Sequence, residues 1–155
     1  MPTAYLKDGK VLFRPKYLKV GTLPWGPYLP GRGYSEGLDV IIGPFPRADI
    51  SMPVWQTVGG VYVNSARNIN SAMILGYGEI LACNHDDRIV EGSAENIVIL
   101  MTHKENGKMK AYSPPLSANI LAGTTRDRVL RILEQGMAIG GKKVELVMEA
   151  PKRGY

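Results

Sequence analysis

The chain has a single cysteine, Cys83, and therefore no internal disulfide to staple a small fold. It sits in EILACN, a strand-like stretch, where a buried structural thiol is expected rather than a nucleophile. No apolar run approaches the roughly eighteen residues of a membrane-spanning helix. The amino terminus lacks the basic-then-apolar pattern of a secretory signal. A soluble, cytoplasmic protein without a membrane partner is expected. Internal repeats and low-complexity tracts are also absent, which excludes solenoids and compositional linkers. No residues are assigned to a metal.

What is present is a chain of 155 residues, 45% hydrophobic and 21% charged. That length supports one domain with a real core and is too short for two comfortable ones. The 18 glycines and 11 prolines point to turns and close backbone approaches rather than long helices. The net charge of +5 favours anionic partners without choosing among them. Its basic residues gather at the two ends, in LKDGKVLFRPKYLK and in GKK with PKR, as solvated tails do. With no recognised binding motif, no nucleic-acid partner is expected.

Residues 1–36 are rich in Pro, Gly and Tyr around LPWGPYLPGRG and are expected to be irregular. GLDVIIG reads as a short buried strand ended by Pro44 and Pro46. In NSARNINSAMILGYG, residues Ala66, Ile69, Met73 and Gly76 fall at helical spacing, which predicts a helix from Tyr62 to Tyr77 with that face inward. EILACN, NIVILM, MKAYS and KKVELVME read as strands, with HDDR a turn and the Asn-Gly of HKENGK a hairpin. GTTRDRVLRILEQG predicts the best helix. Thr124 is its expected N-cap with Asp127 as capping partner, Val129, Leu130 and Leu133 its stripe, and Gly136 its end. These elements predict an α+β (mixed α/β) fold, with residues 38–149 forming one mixed sheet carrying two helices.

Two stretches carry chemistry. In LAGTTRD, from Leu121 to Asp127, a glycine and two threonines at a helix start bring together free N–H groups, two hydroxyls and the positive end of the helix dipole. That makes a phosphate cup, while for the motif taken alone the plainer reading is a capped helix and nothing more. In EGSAEN, Glu91 and Glu95 flank small residues that let a flat ligand or another backbone come close. A carboxylate there suits a ring nitrogen, or equally a solvated turn.

GGVYVNS, EGSAENIVIL and SPPLSANILAGTTRDRV, in this order and spacing, resemble the class IV (fold type IV) pyridoxal-phosphate aminotransferases. The likeness is strongest to the bacterial branched-chain amino acid enzymes. PWGPYL and GLDV extend the resemblance upstream, so that it runs from about Pro24 to Gly136. It implies the large cofactor domain of that fold over residues 37–155, with pyridoxal 5'-phosphate as cofactor. The implied reaction is amino-group transfer between a branched-chain amino acid and 2-oxoglutarate. By position, Glu91 would pair with the pyridine nitrogen, Tyr62 with the phenolic oxygen and Leu121 with the ring face. Thr124 and Thr125 would hold the phosphate.

The chain also departs from the family. The family reads Lys-Ala-Gly-Gly-Asn-Tyr where this chain reads TVGGVY, so the Schiff-base lysine falls on Thr57 and an asparagine on Val61. No lysine occurs between Lys19 and Lys104, so a slip in alignment does not supply one. A threonine hydroxyl is neither a reactive amine nor a general base near neutral pH. Hence no catalytic residue is assigned and covalent attachment of the cofactor is not expected. The resemblance also implies an amino-terminal small domain and a later glycine-threonine phosphate loop in the family, and neither is expected within these residues. A pseudoenzyme that binds phosphate as a regulatory or scaffold subunit, or a truncated gene product, is the alternative reading. A homo-oligomer or a partner subunit is expected, because Trp25, Trp55 and the Ile41–Ile42 pair would otherwise be exposed.

Overall fold

The structure, a computed structural model, describes residues 3–14, 20–24, 26, 33–47 and 59–154. Trp25, Trp55 and Thr57 lie outside the described residues. Backbone contacts divide the chain into two units, Met1–Glu36 and Gly37–Tyr155.

The first unit is not irregular throughout, as its composition led us to expect. Strands β1 (Thr3–Lys7) and β2 (Lys10–Arg14) pair antiparallel. Asp8 and Gly9 join them with φ of 51° and 73°. Positive φ at both central residues is the tight hairpin geometry that matches strand twist, and Asp-Gly is a preferred pair for it. That local signal stands in the sequence as LKDGKV and was masked by the surrounding prolines and glycines. A single helical turn, α1 (Gly33–Glu36), ends the unit.

Among its described residues, the second unit holds two small mixed sheets rather than one. In the first, β3 (Val40–Ile42), β4 (Glu79–Cys83) and β5 (Ile89–Glu91) lie in the order β3-β4-β5. β3 runs parallel to β4, and β5 antiparallel to it. The parallel pair needs a crossover, which α2 (Tyr62–Ile74) provides after a 3₁₀ turn at Gly59–Val61. In the second, β6 (Ile99–Thr102), β7 (Met109–Tyr112), β8 (Ala138–Ile139) and β9 (Lys142–Val147) lie in the order β6-β7-β9-β8. Here β7 and β9 are the parallel pair, and α3 (Thr124–Glu134) is the crossover. Each sheet thus has its own helix and its own core. Ala72 of α2 packs with Ile80, Ala82, Ile41 and Tyr77. Leu130 and Leu133 of α3 pack with Ala111, Val144 and their neighbours. A third cluster, Val90, Ile120 and Ala150, lies by the chain leaving β5 and the approach to α3.

Several local expectations shift. α2 buries Ser65, Asn68 and Ala72 in place of Ala66, Ile69, Met73 and Gly76. The apolar spacing pointed one position away because the deciding contact is polar: the Asn68 amide binds the Phe45 backbone. Helix α2 also stops at Ile74, and Gly76 follows with φ of 86°. β3 is an edge strand with Val40 exposed, and Ile41 and Ile42 are half-buried rather than exposed. Among the described residues, the exposed apolar side chains include Val63, Met73, Ile74 and Leu75, which gather on and just past α2. Gly123, not Thr124, is the N-cap of α3, and no side chain caps it. A Cβ on Gly123 would collide with Asn96 Oδ1, so a neighbouring side chain dictates the residue that starts the helix. Gly136 closes α3 with φ of 89°. Val129 is exposed, leaving Leu130 and Leu133 as the buried stripe. Cys83 is buried, and burial, then Asp87, pushes its thiol above the usual range. Among the described residues, no helix is long and apolar enough to cross a membrane.

Candidate cofactor site

Glu91 ends β5, opposite Ala82 of β4, and is only 3% exposed. A carboxylate so placed needs donors, and three converge on it. Arg47 Nη1 lies 2.6 Å from Oε2. The Leu121 N–H donates to Oε1 at 2.6 Å, and Asn96 Nδ2 donates to the same oxygen at 2.8 Å. Burial pushes the Glu91 carboxyl above its usual range, while Arg47, the Leu121 N–H and Asn96 pull the other way.

The loop that follows Glu91 is folded tightly on itself. The Gly92 N–H donates to the Glu95 carbonyl at 2.7 Å. The Ser93 N–H and hydroxyl donate to the Glu79 carboxylate at 3.1 and 3.0 Å. Asn96 then turns back, giving one N–H to Glu91 and the other to the Leu121 carbonyl at 2.9 Å. Both backbone polar groups of Leu121 are therefore held by EGSAEN, the amide by Glu91 and the carbonyl by Asn96. This clasp fixes the approach to α3 against the end of β5.

Two adjoining cavities follow from the clasp. A cleft of about 30 Å³ is lined by Tyr62, Arg47, Glu91, Ser93 and Leu121 among others. A larger cavity of about 430 Å³ lies over the start of α3, with Leu121, Gly123, Thr124, Thr125, Arg126 and Val129 in its wall. Ala94, Glu95, Asn96 and Leu121 line both. The larger volume falls in the range of small-molecule sites, while the cleft beside Glu91 has room for about one water. The two hydroxyl-bearing residues, Thr124 and Thr125, are exposed to the larger cavity at the start of a helix of 11 residues. Its first amides lack intrahelical acceptors and carry the positive dipole end.

The structure thus brings Glu91, Tyr62 and Leu121 to one cleft, and Leu121, Thr124 and Thr125 to the cavity next to it. The cleft at Glu91 and the cavity at the start of α3 share Ala94, Glu95, Asn96 and Leu121 in their walls. Sequence reasoning missed three residues. Arg47 gives no local signal, since its partner is distant in the chain. Asn96 was legible, as the last residue of EGSAEN. Arg126 lines the larger cavity and donates Nη2 to the Pro114 carbonyl at 2.7 Å, while its buried Nε has no partner.

The model of the family described as amino-transferase class IV matches residues 17–147. The chain belongs to that family. A probable branched-chain-amino-acid aminotransferase of Aquifex aeolicus is 34% identical over 158 residues, covering 98% of this chain and 45% of the relative. The structure superposes on the branched-chain amino acid aminotransferase of Escherichia coli with a TM-score of 0.69 at 26% identity, covering 84% of this chain and 40% of that one. A T.th. branched-chain amino acid aminotransferase, complexed with N-(5'-phosphopyridoxyl)-L-glutamate, gives a TM-score of 0.58 at 30% identity, covering 74% and 35%. The mixed α/β fold therefore corresponds to part of the class IV aminotransferase structure. The chain spans less than half the length of each of these three relatives.

Proposed function

We propose that Gly37–Tyr155 is a pyridoxal-phosphate-binding unit of the branched-chain aminotransferase type that holds its cofactor without a covalent bond. The observation that carries this reading is the make-up of the two cavities: a buried, donor-held carboxylate, a tyrosine, two threonines at a helix start, and no lysine among the described residues that line them. The donor set suits the group. Glu91 accepts three hydrogen bonds of the four or so a carboxylate can take, which leaves capacity for a ring N–H. Thr124, Thr125 and the amides beside them suit a phosphate dianion. Bound, pyridoxal phosphate supplies an electron sink, and an ionised Glu91 facing its ring nitrogen favours the protonated form of that nitrogen. Tyr62 and Leu121 orient the ring in this reading. The described residues that line the cavities offer no amine, so a binding or regulatory subunit fits better than a self-sufficient transaminase.

Equilibrium dialysis against pyridoxal phosphate tests this. Saturable binding with no borohydride-trapped adduct within residues 20–103 is the expected result. Replacing both Thr124 and Thr125 with valine should weaken it about tenfold or more, since each hydrogen bond to a charged group contributes about 1.5–3 kcal/mol. No saturable uptake at millimolar cofactor, or uptake indifferent to the valine pair, rejects the proposal.

The names of the relatives favour a second reading, amino-group transfer from a branched-chain amino acid, with the amine supplied by another polypeptide; 2-oxoglutarate as acceptor is what the resemblance of the sequence implies. Association belongs to both readings. Val63, Met73, Ile74 and Leu75 leave apolar surface on and beside α2, Ile74 being 86% exposed. Apolar surface of this kind marks contact sites. Sedimentation velocity at micromolar concentration and physiological salt should show self-association that Ile74→Lys weakens. A clean monomer in both proteins would count against it.

A further inference from the structure

Arg47 reaches Glu91 from a segment with an unusual backbone. The Gly43 N–H donates to the Leu81 carbonyl at 3.0 Å, and the Arg47 N–H to the Cys83 carbonyl at 2.8 Å. One chain therefore advances from residue 43 to 47 while its neighbour advances only from 81 to 83, and Pro44, Phe45 and Pro46 bulge out between. Prolines have no N–H to give a ladder, and a bulge leaves backbone groups unpaired.

Helix α2 meets three of the bulge's backbone groups with side-chain amides. Asn68 Oδ1 accepts the Phe45 N–H at 2.9 Å, and Asn68 Nδ2 donates to the Phe45 carbonyl at 2.7 Å. A primary amide offers one acceptor and two donors, so Asn68 stands in for the peptide of a missing strand. One turn earlier, Asn64 Nδ2 donates to the Pro46 carbonyl at 2.9 Å. Gly43 lets the amide in, because a Cβ there would lie 2.6 Å from Asn68 Cγ. Arg67 closes the other side, its guanidinium carbon 3.8 Å from the centre of the Phe45 ring. At the end of this bulge, Arg47 Nε donates to the Asn119 carbonyl at 3.2 Å and Nη1 meets Glu91.

We propose that Asn68 is a positioning residue: by supplying the missing hydrogen-bond partners of the Pro44–Pro46 bulge, it sets where the Arg47 guanidinium meets Glu91. Asn68 is 1% exposed, and an asparagine on a buried helix face costs stability unless both ends of the amide are bonded. Both are bonded, to one residue, two positions before the arginine. The role concerns the charge pair of the unliganded protein and does not depend on whether a cofactor binds.

The test is a carbon-detected NMR titration of the Glu91 carboxyl in the full chain, assigned with Glu91→Gln. Loosening Arg47 removes an opposite charge that favours the ionised form, so Asn68→Ala should raise the Glu91 pKa by about one unit. Asn64→Ala, which removes only the outer bond, should move it in the same direction by less. Leu133→Ala, a truncation in the core of the other sheet, should lower the melting temperature and leave Glu91 unmoved. A Glu91 that titrates as in the wild type when Asn68 is alanine, or that moves as far in Leu133→Ala, overturns the assignment. Should Asn68→Ala fail to fold, Asn64→Ala decides, and an unmoved Glu91 there overturns it equally.

Discussion

Arg47→Ala is expected to cost the fold about 3–5 kcal/mol at pH 7, the usual effect of removing one partner from a buried ion pair. The side chains of Arg47 and Glu91 are 9% and 4% exposed, so neither charge has water to fall back on. Without Arg47, the Glu91 carboxylate keeps only the Leu121 N–H and the Asn96 amide, both neutral. The sign of the pH dependence follows. Burial already raises the Glu91 pKa above the ordinary 4.5, so the folded state binds this proton more tightly than the unfolded chain. That contribution is fully present below about pH 4.5 and is lost as pH rises through the folded value. Losing Arg47 raises the folded value further. Urea midpoints of wild type and Arg47→Ala should therefore lie close together near pH 4.5 and draw apart toward pH 7. The double variant Arg47→Met with Glu91→Gln should recover much of the loss, because a neutral amide can still accept from Leu121 and Asn96 while methionine fills the arginine's space. A gap that does not change with pH, or a single variant as stable as wild type at pH 7, would show that the pair is not a buried charge pair in solution.

The parts of this molecule that were legible in the sequence are those whose causes are local. GTTRDRVLRILEQG fixes a helix through its own leucines and its closing Gly136, and Asn106-Gly107 fixes the β6–β7 turn through backbone geometry. The order of EGSAEN before LAGTTRD marks the family for the same reason, since both are short stretches with their own chemistry. What failed depends on partners far along the chain. The inward face of α2 follows from Asn68 bonding Phe45, which no helical periodicity of apolar residues can show. The N-cap of α3 is a glycine, and Asn96, distant in the chain, occupies the space that a side chain at Gly123 would need. The division into two sheets rests on each crossover helix covering one parallel pair, and strand spacing alone does not count sheets. At the candidate site, the five residues named from the sequence stand around adjoining cavities, whereas Arg47, the cation that holds Glu91, sits in FPR with nothing near it to announce a role. The Asp8-Gly9 turn is the exception: its cause is local, and a composition-level reading of residues 1–36 passed over it.

Thr57→Lys is expected to convert reversible binding of pyridoxal phosphate into a borohydride-stable adduct at residue 57. Thr57 lies outside the described residues, but Gly59–Val61 leads directly into Tyr62, and Tyr62 lines the cleft that contains Glu91. The resemblance read from the sequence puts the family's lysine at this position, and Glu91, Thr124 and Thr125 line the two adjoining cavities. A lysine near an opposite or like charge changes its pKa readily and reacts as the neutral amine, so the yield of adduct should rise between pH 7 and pH 9. The unaltered chain has no lysine between Lys19 and Lys104, and peptide mapping after reduction should find nothing in that interval. Adducts at the amino terminus or at the lysines of the two ends are expected at low, pH-dependent levels in both proteins, so the difference is read from the mapped peptide and not from total incorporation. Full transaminase turnover is not expected to return with the amine. The Glu91→Gln change in the Thr57→Lys background separates the two contributions: the adduct should still form, because the amine alone makes it, while any amino-group exchange should fall, because a neutral amide cannot hold the ring nitrogen protonated. An adduct absent from Thr57→Lys although the protein binds the cofactor reversibly would place residue 57 away from the cleft. Robust turnover by the unaltered chain, purified without a partner, would mean that an amine from outside residues 20–103 reaches the site.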